Sequence, residues 1–149
     1  MISGSSHRSI AGRPILWVAA LLTATLLHAG AAETMPAVDL IMTADKGAAI
    51  CAPAELRLPA NADVSIRVQN RSSTQIVLTA PEMFENKNVL HHDGDVVHVA
   101  SNEGYTVKQN GKGEIRIRTI APGQYPFGCT SVNAKSQPFR GTLVLTPAR

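Results

Sequence analysis

The sequence predicts an all-β fold, an antiparallel β-sandwich, on three observations. Short segments alternate apolar and polar residues with period two, turn-forming residues punctuate them at regular spacing, and no stretch sustains a long helical periodicity. Period-two alternation gives each segment one apolar face for a core and one polar face for water, the pattern of half-buried antiparallel strands.

Taken in order, residues 38–42 open the series with Val38, Leu40 and Met42 on one stripe. Leu56 and Leu58 then alternate with Glu55 and Arg57, and Val64, Ile66 and Val68 with Ser65, Arg67 and Gln69. Asn61-Ala62-Asp63 makes the turn between those two segments. Residues 75–79 form the next strand, and residues 81–88 have room for one helical turn. Residues 105–109 precede the Asn110-Gly111 turn, after which Ile115 and Ile117 alternate with Glu114, Arg116 and Arg118. Arg116 and Arg118 share the polar side with Glu114, a solvated face or a docking face. Pro122-Gly123 introduces a strand at 125–129, and residues 141–146 close the series.

Asp93-Gly94 lies between residues 88–92 and 95–100, and a two-residue Asp-Gly loop favours a type I′ hairpin. That register sets His92 opposite Asp95, His91 opposite Val96 and Val89 opposite His98. His91 and His98 then share a face as diagonal neighbours, roughly 7–8 Å apart at the backbone. The hairpin is expected either to present a histidine pair to a metal or to be simply solvated, with His92 and Asp95 as a surface pair.

The first 31 residues are expected to be a secretory signal peptide. Arg8 and Arg13 precede an apolar run at 15–27, and Ala29-Gly30-Ala31 supplies a small-residue cleavage site. The run falls short of the roughly 20 apolar residues that span a bilayer. Cleavage after Ala31 would leave residues 32–149 as one domain of 118 residues, long enough to bury its own core. The removed piece carries two arginines and no acid, so the formal charge falls from +3 to +1. The basic pI near 9.1 thus belongs partly to the export signal and gives no support to a nucleic-acid partner. A periplasmic protein without a transmembrane anchor is expected.

Two cysteines, Cys51 and Cys129, follow the cleavage site. In an oxidising compartment they can form a disulfide, and as thiolates they can hold copper or zinc. Both readings use the same sulfurs and stay open. The chain has no C-x-x-C, G-x-S-x-G, phosphate-loop or H-E-x-x-H motif, and nothing fixes a histidine beside either cysteine, so no enzyme activity is expected beyond a redox or ferroxidase-type accessory role, which stays open.

The residues around the cysteines resemble the cupredoxin family. Cys51-Ala52-Pro53, the segment from Leu56 to Asn61 and the segment from Val64 to Asn70 look like a cupredoxin opening. Residues 121–129, reading A-P-G-Q-Y-P-F-G-C, look like the strand that delivers a copper cysteine, and Phe139 to Leu145 like the closing strand. The resemblance runs from about residue 38 to 146 and implies a Greek-key sandwich of the cupredoxin type, here with the extra hairpin. Blue-copper ligands are missing: Ala134 stands at the usual second histidine, Phe139 at the axial methionine, and residues 75–78 hold no histidine.

Paired cysteines in these two places resemble the cupredoxin domain of EfeO-type periplasmic iron-uptake proteins. Cys51 and Cys129 match, whereas the expected acids are absent: Pro126 replaces one and residues 77–79 hold none. The helical domain that usually follows in those proteins is not expected here. The resemblance implies a stand-alone periplasmic module of copper or iron handling with an altered or absent metal site, at which Cys51 and Cys129 would be the metal ligands. Read on their own chemistry, His91 and His98, with Met83, would replace the lost acids as further ligands. The module's partners would be the metal ion and a membrane permease or another periplasmic metal-handling protein. The alternative is a metal-free interaction module with a structural Cys51–Cys129 disulfide and no cofactor.

Overall fold

A computed structural model describes residues 34–149 apart from 86, 100–103, 134 and 136, together with positions 4, 12 and 30. The expected signal peptide, at 1–31, otherwise lies outside the described residues. The chain divides into two compact units, Met1–Ala32 and Glu33–Arg149, and every strand belongs to the second.

Among the described residues the elements are all strands: β1 (Ala37–Asp45), β2 (Ala48–Ala52), β3 (Glu55–Pro59), β4 (Asp63–Asn70), β5 (Ile76–Thr79), β6 (Val89–Gly94), β7 (Val96–His98), β8 (Gly104–Val107), β9 (Lys112–Arg118), β10 (Gly123–Ser131) and β11 (Phe139–Thr146). They form two sheets, ordered β2-β1-β4-β9-β6 and β3-β11-β10-β5-β8-β7. The all-β expectation therefore holds, and residues 81–84 make a single hydrogen-bonded turn, with the Met83 and Phe84 amides both donating to the Ala80 carbonyl.

The apolar stripes read from the sequence are the core. Leu40, Met42, Val64, Ile66, Ile115 and Ile117 from the first sheet face Leu56, Leu58, Leu78, Phe127 and Leu143 from the second, all buried. The alternating polar residues Arg67, Arg116 and Arg118 are exposed on the outer side. β2 escapes sequence reading because Ala48, Ala49 and Ala52 carry little strand preference. It forms because Lys46 and Gly47 both take positive φ (48° and 83°), the two-residue geometry that returns a chain directly onto β1.

Two expectations need correction. The sheets are mixed: β1 pairs parallel with β4, and β3 parallel with β11. Parallel neighbours need a crossover connection, and between β1 and β4 the chain supplies one by entering the second sheet as β3. The Asp93-Gly94 hairpin is also absent. β6 pairs with β9 in the first sheet, whereas β7 pairs with β8 in the second. The chain changes sheets at Asp95, whose amide donates to the Lys112 carbonyl and whose carbonyl accepts from the Lys108 amide. Val96 causes the crossing: its side chain is buried over Gly113, where any Cβ would overlap it. An apolar anchor in the interior outweighs a local turn preference.

Candidate functional site

Cys51 and Cys129 form a disulfide, with Cα atoms 6.4 Å apart. Cys51 lies on β2 opposite Met42, and Cys129 on β10 between Leu78 and Phe139, so the bridge ties one sheet to the other. Relative exposures of 2% and 0% place it inside the core. Of the two readings left open for these sulfurs, the structure contains the bridge.

The residues about Cys129 do not fit a copper centre. Its sulfur is engaged in the bridge, and its neighbours across the sheet, Leu78 and Phe139, are hydrocarbon. Phe139 packs against Phe127 with ring centroids 6.4 Å apart. Position 134 lies outside the described residues.

Separating β6 from β7 also separates the histidines. His91 points outward opposite Arg116, and its Nε2 lies 3.6 Å from Asp93 Oδ2. His92 sits opposite buried Ile115, and its ring lies 5.2 Å from that of Tyr105. His98, on β7, packs on the same tyrosine at 5.2 Å, and Phe84 meets it edge-on at 5.2 Å. The expected His91–His98 pairing is therefore replaced by a Tyr105-centred cluster of His92, His98 and Phe84. Met83 is buried beside Phe84 in the chain. Burial pushes the Tyr105 hydroxyl pKa above its usual value. Among the described residues, His98 Nε2 is buried without a hydrogen-bond partner. No group of three His, Cys, Asp or Glu side chains there is placed to hold a metal ion.

The outer side of the first sheet is a lattice of opposite charges. Asp39, Arg67, Glu114 and Asp93 make one row across β1, β4, β9 and β6. Arg67 donates from Nε and Nη2 to both Asp39 carboxylate oxygens, and Arg118 does the same to Asp63. These hydrogen bonds hold both aspartate pKa values below the usual carboxylate range. Glu114 is lowered by bonds from Arg116 and Ser65. This is the solvated charged face expected of Arg116 and Arg118, and it borders an open groove of about 410 Å³.

A different groove, of about 280 Å³, opens on the outer side of the second sheet. Thr79, Gly128 and Arg140 form one row across β5, β10 and β11. Pro81, Pro126, Pro138 and Phe139 flank the row. Gly128 leaves the middle open, since a Cβ there would stand 3.0 Å from Thr79 Oγ1. Sequence reading missed this site because its three central residues come from three segments, and none belongs to a motif.

Two sheets of short strands closed on one core make a cupredoxin-type sandwich. The chain belongs to the cupredoxin-like domain family, whose model matches residues 15–145. A comparison with curated proteins returns no significant match. Among solved structures, the chain is similar to auracyanin B, with 22% identity and a TM-score of 0.50 over 77% of this chain and 92% of that one. It is also similar to a laccase-like multicopper oxidase from Ochrobactrum sp., with 13% identity, a TM-score of 0.54 and coverage of 77% and 32%. A multicopper oxidase from Campylobacter jejuni gives 11% identity, a TM-score of 0.53 and coverage of 77% and 31%. The chain thus spans about a third of each oxidase, and at these identities the likeness is one of fold. Among the described residues no helix is long and apolar enough to cross a membrane.

Proposed function

We propose that the chain is an exported, periplasmic cupredoxin-like module of copper or iron handling that works by docking through its surface, without a resident copper. One observation carries the reading: Cys129, which the resemblance sets at a copper cysteine's place, is joined to Cys51 in a buried bridge between the sheets. A sulfur in a disulfide has no thiolate to offer a metal. Copper or iron handling as the setting rests on the paired cysteines that resemble the EfeO-type domain, and export on the basic, apolar and small-residue segments before residue 32. The bridge then serves as structure, and the outer faces of the sheets are left for a partner such as a permease. No catalytic step is assigned to the chain.

A second reading has one observation in its favour. Reduction would leave two thiols with Cα atoms 6.4 Å apart, close enough to share one soft ion such as copper(I). Thiol counting on protein trapped with an alkylating agent in the periplasm separates the two. The docking reading expects no free thiol before reduction, two after reduction in denaturant, and no copper or iron retained by the oxidised protein. Two free thiols that bound metal protects from alkylation would overturn it in favour of metal capture.

A further inference from the structure

We infer that the groove over β5, β10 and β11 binds an extended, apolar peptide segment of a partner protein through one carboxylate side chain. The inference deepens the docking reading and rests on it. Arg57, Arg67, Arg116 and Arg118 each hold a carboxylate. Arg140, the remaining strand arginine, holds none among the described residues, and it stands exposed at the groove rim. Across the slot left by Gly128 lies Thr79, whose hydroxyl donates to the Gly128 carbonyl only at 3.5 Å. A contact that long leaves the hydroxyl free for a better acceptor. A hydroxyl leaning over a bare glycine, with an exposed guanidinium on the next strand, offers two donors to one carboxylate.

The flanks define the rest of the ligand. Pro81, Pro126 and Pro138 offer apolar surface around the two donors. One cation balances one carboxylate, whereas a phosphate dianion would bring uncompensated charge against those rings. A volume of about 280 Å³, at the lower edge for small-molecule pockets, suits a side chain and its neighbours lying along the surface.

The test is an NMR titration of the oxidised protein with an eight-residue peptide centred on Leu-Pro-Glu-Leu-Pro, beside its Gln analogue and 3-phenylpropionate. Saturable shifts at Thr79, Gly128 and Arg140 are expected. The Gln peptide, Arg140→Gln and Thr79→Val should each weaken binding about tenfold, the loss of a hydrogen bond to a charged group. Gly128→Val should close the slot; its spectrum reports folding, and Thr79→Val tests the site with little change in shape. Equal binding of the Glu and Gln peptides, shifts mapping elsewhere, or no binding at millimolar peptide would overturn the groove assignment while leaving the disulfide-bridged module standing. Binding of 3-phenylpropionate as tightly as the peptide would overturn the peptide as occupant. Free thiols holding metal would instead overturn the docking reading beneath it.

Discussion

Removing the disulfide is the most informative perturbation of this fold, and its size follows from the chain. Cys51 and Cys129 are 78 positions apart. Cross-linking a loop of that length removes about 15 cal/mol/K of entropy from the unfolded chain, about 4.5 kcal/mol at room temperature. A domain of this size is stable by about 5–15 kcal/mol, so the bridge supplies from a third to nearly all of the margin. The variant is Cys51→Ala with Cys129→Ala, because serine would bury hydroxyls among Met42, Leu78 and Phe139. Urea unfolding of the oxidised parent and the double variant reads the difference. With a slope of about 1.5 kcal/mol per molar, the midpoint should fall by about 3 M. The slope should rise, since the unlinked chain exposes more surface when unfolded. A loss below about 1 kcal/mol would refute the loop-entropy reasoning.

Further outcomes follow from particular contacts. Gly141→Ala drives a Cβ into the Phe127 ring and toward the Ala54 carbonyl, and should cost about 2 kcal/mol in urea unfolding. Asn70 is buried, with Nδ2 donating to the Thr74, Val107 and Lys108 carbonyls and Oδ1 accepting from the Ser72 amide and hydroxyl. Asn70→Ala should therefore cost about 3 kcal/mol, while a surface change such as Arg71→Ala should not register. Asp39, Asp63 and Glu114 titrate below their unfolded values, so their contribution is complete above the unfolded carboxylate range and is lost as pH falls through the folded values. Unfolding midpoints should drop on acidification below about pH 4, less so in high salt, and Arg67→Met with Arg118→Met should flatten that drop.

What was legible in the sequence was local. Val64, Ile66 and Val68 or Ile115 and Ile117 announce their inward faces by alternation alone, and each is buried. The cysteine pair was legible as two competing chemistries, because nothing at a separation of 78 residues says how close the sulfurs come. The Asp-Gly turn misled because a turn preference is worth little beside a buried valine. Gly94 does take positive φ (76°), but Val96 carries the chain into the other sheet. His92 is exposed as read, but it meets Tyr105 in place of Asp95, and His91 loses His98.

The sequence by itself determined that this chain folds as a two-faced β-sandwich and that it lacks blue-copper ligands. The first follows from period two, which acts over a few neighbouring positions, and the second from setting the residues against the cupredoxin pattern they resemble. Tertiary structure alone decided that the cysteines bridge the sheets, that His91 and His98 part, and that Thr79, Gly128 and Arg140 fall in one row. Those outcomes depend on register between strands distant in the chain, and register is set where whole apolar faces close on one core.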